Sequence, residues 1–399
     1  MQIDITKLDH MGRGIGFIDN KIVFVPNTMP NDIVEIKITH DSKKFLEGEV
    51  VSFIKESEDR INPICKYYQE CGGCDLLHMN YTYQLDYKLD KVKNILSRYA
   101  GIDSKLITKI ISENEYNYRN KIVLQVDSKL GLIKRKSHDI VNIDHCYLVS
   151  DEVNAMISTL NKLDLTGITK IIIRYNQNEI MLIIETPLIS DELINTFDCN
   201  IIQKIKDEYT IVKGNGFLKE KIDDLEFIIS PNSFFQVNTK CMVKLYEQVA
   251  KYAKLTGKEV VLDLFCGTGT IGLFLAKHAK EVLGIEISST AIDDALKNAE
   301  INKINNISFK VGDVDHLINE LEYHPDVVVV DPPRSGLMPN TIDNIIKLNP
   351  SKLIYVSCDP ITLARDIKLL ATYEVVDIKV FDMFPNTYHV ECVVNLKRK

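Results

Sequence analysis

The chain has 399 residues, 45% of them hydrophobic and 26% charged, which suits two or three globular domains of roughly 100–200 residues each. Its net charge of −8 excludes nucleic-acid binding through bulk positive charge, so any RNA contact requires a local basic patch. The first residues lack a secretory signal, and no run approaches the roughly 18 apolar residues that span a bilayer. We therefore expect a cytoplasmic protein with no membrane partner.

Residues 1–55 alternate apolar and polar side chains, with turn residues between the runs. Residues 21–38 are typical of a strand, a turn containing Pro and Asn, and a second strand, and residues 45–54 are typical of a further strand. Several short strands within this length predict a small β-barrel. Such a barrel either binds nucleic acid or is a plain β-module, and the pattern is compatible with both.

Cysteine spacing is the next signal along the chain. The sequence has nine cysteines, an odd number that favours metal binding or catalysis over a disulfide framework in a reducing compartment. Cys65, Cys71 and Cys74 follow the pattern C-x5-C-x2-C in a loop that contains glycine. Cys146 is the best candidate for a fourth ligand. Four thiolates suit either an iron–sulfur cluster or zinc.

The middle of the chain gives weaker signals. Residues 81–100 have apolar side chains at helical spacing, and residues 116–229 mix strands and helices without a clear motif. Residues 119–138 are rich in basic side chains and hold one acid, Asp127. This segment is either an RNA contact or a solvated pair of strands. Its cations are Arg119, Lys121, Lys129, Lys134, Arg135 and Lys136.

From residue 231 onward, strands alternate with helices, which predicts a parallel sheet. Gly267, Gly269 and Gly272 form a G-x-G-x-x-G turn between a buried strand and a helix. Glu286 ends the next strand, where a carboxylate binds ribose hydroxyls. The pattern fits a dinucleotide or S-adenosylmethionine (SAM). Two acids favour SAM. Asp263, before the turn, would repel a pyrophosphate but suits the ammonium of a methionine moiety, and Asp313, after the third strand, takes a position that is common for an acid near an adenine.

Two further motifs follow at predicted strand ends. Asp331 lies in Asp-Pro-Pro-Arg directly after an apolar strand, where the prolines stiffen the backbone. Cys358 ends the following strand, and Asp359-Pro360 then opens a helix whose amino terminus favours the thiolate. Glu391 lies in a late apolar strand and is either a general base or a strand-edge charge. Cys266, in the glycine turn, is a second candidate for a reactive thiol. A requirement for a small side chain at that position is an adequate alternative explanation. The cysteines interpreted as structural are Cys199, Cys241 and Cys392.

Together these motifs resemble the RNA (uracil-5-)-methyltransferases that form 5-methyluridine, in particular the iron–sulfur branch that acts on 23S ribosomal RNA. The resemblance rests on the cysteine set, SFFQVN, DPPR and SCDP in this order. It implies an OB-like TRAM barrel over residues 1–55 and a mixed α+β central domain with the iron–sulfur site over 56–230. It also implies a Rossmann-like SAM-dependent methyltransferase domain over 231–399, and hence an α/β fold class.

The resemblance also implies roles for individual residues. Cys358 takes the place of the nucleophile that adds to carbon 6 of the uracil, and Glu391 that of the base that removes the carbon 5 proton. Thr270 stands where some family members have asparagine, so no contact is carried over to it. The implied SAM contacts are Gln236, Phe265, Glu286 and Asp331, and the implied ligands of a [4Fe–4S] cluster are Cys65, Cys71, Cys74 and Cys146.

The substrate implied is 23S ribosomal RNA, and we expect a monomer. One alternative is the T-loop uridine of tRNA, although family members acting on bacterial tRNA generally lack the cluster and the barrel. A second alternative is a non-catalytic iron–sulfur RNA-binding protein, which leaves the SAM-like half without a role. A nicotinamide-dependent oxidoreductase is compatible with the glycine motif alone, but it gives no role to Cys358 or Glu391.

Overall fold

A computed structural model of the protein describes residues 1–321 and 324–399. The chain folds into two compact units, each assembled from segments that are distant in sequence. The first unit comprises Met1–Lys91, Leu132–Val141 and Phe384–His389, and the second comprises Val92–Gly131, Asn142–Met383 and Val390–Lys399. The domain boundaries after residues 55 and 230 stay predictions, because each unit combines residues from more than one predicted domain.

The first unit contains a six-stranded sheet with the strand order β1-β5-β6-β4-β3-β2. The strands predicted within residues 21–38 and 45–54 are confirmed as β4, β5 and β6. Their alternating apolar side chains form a core that includes Val23, Val34, Ile36 and Leu46. The strands are β1 (Gln2–Asp4), β2 (Lys7–Leu8), β3 (Gly14–Ile18), β4 (Lys21–Val25), β5 (Ile33–Asp41) and β6 (Phe45–Lys55).

The helix predicted over residues 81–100 is confirmed as α1 (Tyr81–Ala100). Two of its polar side chains, Gln84 and Lys88, are fully buried in the first unit. Gln84 exchanges hydrogen bonds with Asn386, and Lys88 donates to the carbonyl of Phe384 at 3.0 Å. Buried polar groups need such partners. Within the described residues, no helix is both long and apolar enough to cross a membrane.

A mixed α+β region follows in the chain, as predicted for residues 116–229; most of it belongs to the second unit, and Leu132–Val141 belongs to the first. In it β8, β11, β12, β13 and β14 are neighbours in this order, and only β12 and β13 are parallel. The elements are β7 (Ile107–Ile111), β8 (Lys121–Asp127), β9 (Lys129–Ile133), β10 (Ile140–Asn142), α2 (Asp151–Leu160), β11 (Lys170–Tyr175), β12 (Ile180–Glu185), α3 (Asp191–Thr196), β13 (Asn200–Ile205), β14 (Glu208–Lys213), β15 (Leu218–Ile222) and β16 (Leu225–Ile229).

The rest of the second unit alternates strands and helices, which confirms the predicted α/β class. The elements are α4 (Thr239–Ala253), β17 (Val260–Leu264), α5 (Thr270–Ala276), β18 (Glu281–Glu286), α6 (Ser289–Ile301), β19 (Ile307–Val311), α7 (Val314–Leu317), β20 (Val327–Val330), α8 (Pro339–Leu348), β21 (Lys352–Ser357), α9 (Pro360–Leu369), β22 (Tyr373–Phe381) and β23 (Glu391–Arg398).

These strands form an eight-stranded sheet with the order β19-β18-β17-β20-β21-β23-β22-β7. The five strands from β19 to β21 are parallel, and β23 runs antiparallel to both of its neighbours. Two features were not predicted. The antiparallel β23 inserts beside β21, and β7 (Ile107–Ile111) adds an edge strand from a part of the sequence far from the other seven.

Candidate active site

Four parallel strands end at the same edge of the large sheet. The register pairs Leu264 with Ile285 and with Val330, and Val330 with Tyr355. The residues that follow these strands therefore lie side by side, as expected at the carboxyl ends of strands in such a sheet. They include Phe265, Asp331 and Cys358, which the sequence singled out, and Glu286 ends the fourth strand.

The glycine turn links β17 to α5. Phe265, Gly267 and Gly269 all have positive φ, at 63°, 53° and 76°. A left-handed conformation is uncommon for a bulky residue such as Phe265 and marks a constrained turn. A Cβ on Gly267 would meet nothing within 4 Å, so this side of the turn faces open space. The turn leaves room for a ligand against its backbone.

Glu286 is fixed against the glycine turn. Its carboxylate accepts hydrogen bonds from the amide of Gly267 at 3.2 Å and from the amide of Ser288 at 2.9 Å. Both bonds hold the side chain at the turn, where a ribose would be bound. Glu286 therefore lies at the turn that Phe265 begins.

Asp263 lies on β17, two residues before Phe265, and is completely buried. Neither of its carboxylate oxygens has a well-formed hydrogen bond among the described residues, and the backbone amide of Gly272 lowers its pKa only in part. Burial, with the carboxyls of Asp331 and Glu286, raises the pKa of Asp263 to about 8. A buried carboxyl with no partner is costly unless a bound group satisfies it. The ammonium of a methionine moiety would do so, and the turn, Asp263 and Glu286 therefore fit SAM.

The segment SPNSFFQVN is held in place from several sides. The hydroxyls of Ser230 and Ser233 donate to the carboxylate of Asp294 on α6, the first at 2.6 Å. The side-chain amide of Asn120 donates to the carbonyl of Gln236 at 2.9 Å. Arg174 on β11 donates to the carbonyl of Ser233. These bonds fix the backbone of the segment, so the half-buried Gln236 has a defined position.

Cys358 and Glu391 face each other across two antiparallel strands. The last pair in the register of β21 and β23 joins Ser357 to Cys392, so Cys358, directly after β21, lies beside Glu391, the first residue of β23, and the carboxyl of Glu391 acts on the pKa of the thiol. Glu391 is 5% exposed. Burial and the carboxyl of Asp331 raise its pKa well above the usual range, and Arg334 opposes this shift. The alternative interpretation of Glu391 as a strand-edge charge is wrong, because β23 lies inside the sheet.

The prediction that the helix after Cys358 favours its thiolate is wrong for the ligand-free site. Burial raises the pKa of the Cys358 thiol to about 12, and the carboxyls of Glu391 and Asp331 act in the same direction. Arg334 lowers this pKa without cancelling the shift. The free site therefore holds a neutral thiol at physiological pH.

The amino terminus of α9 offers Cys358 little help, because it already has an anion. Asp359 is the N-cap residue, as predicted, and its carboxylate accepts from the amides of Ile361 at 2.7 Å and Thr362 at 3.0 Å. The same groups that would stabilise a thiolate are thus engaged by a carboxylate.

The loop after Asp331 is fixed to α9 by a buried carboxylate that the sequence did not reveal. Asp366 accepts from the amide of Leu337 at 2.8 Å and from the hydroxyl of Tyr355 at 2.6 Å. A Cβ on Gly336 would lie 2.5 Å from Asp366 Oδ2, and Gly336 has a φ of +75°. The glycine in the sequence RSGL was the one available signal of this close approach. Asp366 thereby positions the loop that carries Arg334.

The candidate metal ligands lie in both units. Cys65, Cys71 and Cys74 belong to the first unit, where Cys71 is buried and the other two are partly exposed. Cys146 belongs to the second unit, and its amide and carbonyl both bond to the side chain of Asn154. Across residues 1–321 and 324–399, the structure shows no group of three or more His, Cys, Asp or Glu side chains arranged to hold a metal ion.

The basic segment 119–138 is less cationic than the sequence suggested. Three of its side chains belong to the first unit, and each has an acidic partner there: Lys134 with Glu70, Arg135 with Asp75 and Lys136 with Glu47. Arg119, Lys121 and Lys129 belong to the second unit. The segment is therefore not one continuous basic patch.

The remaining candidates have structural surroundings. Cys266 is buried, and burial raises the pKa of its thiol well above the usual range. Thr270 hydrogen bonds to the hydroxyl of Tyr246 at 2.9 Å. Asp313 caps α7 by accepting from the amide of Asp315. Cys241 and Cys392 are fully buried, and Cys199 is partly exposed.

Comparison with known proteins gives matches over the whole chain. Residues 185–399 match the family described as tRNA (Uracil-5-)-methyltransferase, and residues 1–51 match the TRAM domain. An uncharacterized RNA methyltransferase of Clostridium acetobutylicum is 38% identical, with 100% of this chain and 96% of the relative covered. Another from Caldanaerobacter subterraneus subsp. tengcongensis is 37% identical, with 100% and 98% covered. A solved structure, the Pyrococcus abyssi tRNA (uracil-54, C5)-methyltransferase in complex with S-adenosyl-L-homocysteine, has a TM-score of 0.83 and 29% identity over 99% of each chain.

The buried carboxyl of Asp263 yields a prediction on ligand binding and stability. We expect Asp263→Asn to weaken SAM binding by about 10- to 100-fold, because the ion pair with the ammonium is lost. Calorimetric titration with SAM measures this change.

The same variant should make the ligand-free protein more stable at pH 8. The folded state raises the pKa of Asp263 to about 8, so ionisation opposes folding as the pH rises from about 4 towards 8, and asparagine removes this penalty. The matched control is Asp343→Asn on the exposed face of α8, which should change neither quantity. Unaltered SAM affinity in Asp263→Asn would contradict the assignment.

Proposed function

We propose that the protein methylates carbon 5 of a uridine in 23S ribosomal RNA. The chain belongs to the tRNA (uracil-5-)-methyltransferase family and is a SAM-dependent RNA (uracil-5-)-methyltransferase. The observation that carries this proposal is the pairing of Cys358 with Glu391 at the sheet edge that also carries the glycine turn. A nucleophile and a base that face each other beside the cofactor turn suit addition to a pyrimidine ring followed by proton removal.

The chemistry follows from the weak nucleophilicity of carbon 5. We assign Cys358 as the residue whose thiolate adds to carbon 6, which moves the electron pair of the 5,6 double bond onto carbon 5 and the neighbouring carbonyl. Bound SAM would supply an electrophilic methyl group; as carbon 5 forms its bond to this methyl, the sulfur–methyl bond breaks and S-adenosylhomocysteine leaves with the electron pair. The carboxylate of Glu391 removes the proton from carbon 5, and the bond from Cys358 to carbon 6 breaks as the double bond re-forms.

Other residues hold the reactants. Gln236, Phe265, Glu286 and Asp331 are proposed to contact SAM, and Asp263 is added to this set because its buried carboxyl has no well-formed hydrogen bond in the described part of the chain. Asp331 also borders the uracil position, since its charge acts on both Cys358 and Glu391. The target base has to leave its stack to reach this edge.

The RNA target is the finer part of the proposal. The four-cysteine set and the barrel-forming amino-terminal strands resemble the 23S ribosomal RNA branch. A second candidate is uridine 54 of tRNA, which is favoured by the similarity to the Pyrococcus abyssi tRNA enzyme over 99% of both chains. We propose a monomer that works in the cytoplasm.

We also propose that Cys65, Cys71, Cys74 and Cys146 bind a [4Fe–4S] cluster. The support is the chemistry of the donors, since four thiolates suit such a cluster, and the spacing C-x5-C-x2-C in one short loop. Zinc is the alternative metal for the same donors. Methyl transfer needs no electron, so the cluster would order the polypeptide around it and present the RNA-binding surface.

The first experiment measures methyl transfer from tritiated SAM to unmodified 23S ribosomal RNA and to tRNA. We expect 5-methyluridine in the ribosomal RNA with the wild type and none with Cys358→Ala, because the nucleophile is missing. Glu391→Gln should retain Cys358 and accumulate a covalent protein–RNA adduct on denaturing gels, since elimination needs the base. Methylation of tRNA alone would support the proposed reaction but contradict 23S ribosomal RNA as the substrate.

The raised pKa of Cys358 predicts a pH dependence. With a pKa of about 12, the thiolate fraction of the free enzyme rises with pH throughout the neutral range. We therefore expect log(kcat/KM) for RNA to increase by about one unit per pH unit between pH 7 and pH 9. Alkylation of Cys358, followed by mass spectrometry against a Cys358→Ala control, should rise in parallel. A plateau below pH 8 in both profiles would rule out this prediction.

The cluster proposal is tested without an activity assay. Protein purified without oxygen should contain iron and acid-labile sulfide and should absorb visible light. Cys71→Ser should lose the iron, the sulfide and the absorbance, because one thiolate ligand is removed. Cys199→Ser, which lies outside the proposed set, is the matched control and should keep them. If the wild type contains zinc but no iron, the site binds zinc and not a cluster. If it contains neither metal, the proposed metal site is wrong.

A further inference from the structure

Two cations lie directly opposite each other on neighbouring strands of the second unit. Lys121 on β8 pairs with Arg174 on β11 in an antiparallel register, so both side chains project from the same face of the sheet. The next pair on this face is Val123 with Ile172, which brings no carboxylate. Like charges in directly opposed positions destabilise a sheet. The arrangement therefore calls for an anion.

Neither cation has a carboxylate partner within hydrogen-bonding distance in the described part of the chain. Arg174 is 4% exposed, and its buried Nε has no hydrogen-bond partner there. Burial and the charge of Arg174 together lower the pKa of Lys121 to about 8, with no acid acting against them. Tyr209 and, more weakly, Asp294 are the acidic groups that act on Arg174, but Tyr209 carries no carboxylate and the oxygens of Asp294 already accept from Ser230 and Ser233.

The pair lies beside the segment that positions the cofactor. Arg174 donates to the carbonyl of Ser233 in that segment. Asn120, the residue before Lys121, bonds through its backbone amide to the carbonyl of Val237 at 2.9 Å and through its side chain to Gln236. Lys121 is therefore fixed next to the candidate active site, and it remains partly exposed to solvent.

We propose that Lys121 and Arg174 form a phosphate subsite that binds the RNA backbone next to the target uridine. The inference rests on the proposed RNA methylation. Arg174 supplies a buried guanidinium that also donates to the carbonyl of Ser233 in the cofactor segment. Lys121 supplies the partly exposed charge that a polyanion can reach. A chain with a net charge of −8 needs such a local cation, because its overall charge repels RNA.

The experiment measures RNA affinity as a function of salt, at pH 7, with S-adenosylhomocysteine present. Lys121→Gln should weaken binding by about tenfold near physiological salt. The slope of log Kd against log salt should fall by about 0.7 to 0.9, the loss of one phosphate contact. Lys121→Arg should retain both values. Lys129→Gln is the matched control, because it removes one exposed lysine from the strand after β8, and it should leave the slope unchanged.

Calorimetric titration of the same variants with SAM separates two sources of the anion. Unchanged SAM affinity together with the reduced salt slope supports the phosphate subsite. Loss of SAM affinity with an intact RNA slope would assign the pair to the carboxylate of SAM and overturn the inference, as would an unchanged slope. The salt dependence of binding can be measured with any RNA that the protein binds, whether or not it is methylated. A wild type that binds RNA but fails to methylate it therefore contradicts only the proposed function.

Discussion

The parallel pairing of β18, β17, β20 and β21 is the constraint on which the candidate site depends. Because these strands are paired in parallel, their carboxyl ends lie at the same edge of the sheet, where β21 extends two residues beyond β20. Asp331 and Cys358 are separated widely in sequence and yet become neighbours for this reason alone. Any substitution that shifts the register of one of these strands would move one functional group relative to the others.

The same edge concentrates acidic groups in a poorly solvated place. Asp263, Asp331 and Glu391 all have raised pKa values, chiefly because of burial. Burial also raises the pKa of the Cys358 thiol. In the ligand-free protein these groups tend to be neutral, and bound cationic and polar groups would change their charge. Perturbed groups of this kind cluster at functional sites, and the site described here combines four of them.

The sequence predicted those parts of the site that lie directly after strands. Glycines at Gly267 and Gly269, the acid Glu286, and Cys358 before Asp359-Pro360 all follow apolar runs, and a parallel sheet places such residues together. It did not predict that β23 would insert beside β21, because long-range strand order is not encoded in local periodicity. Glu391 consequently remained ambiguous until the register was known. The sequence also did not show that the Cys358 thiol would be buried beside the carboxyls of Glu391 and Asp331, and the expected effect on its pKa therefore had the wrong sign.

The position of β23 in the sheet has a consequence for the order in which the site is completed. In sequence, β23 follows every other described strand of its sheet, although it lies between β21 and β22 in space. During synthesis, a chain that has already exposed Cys358 still lacks Glu391 and the strand that covers β21 on that side. With the proposed roles of these two residues, the nucleophile exists before its proton acceptor does. A ribosome-bound nascent chain would then be unable to complete a turnover until this last central strand has emerged and paired.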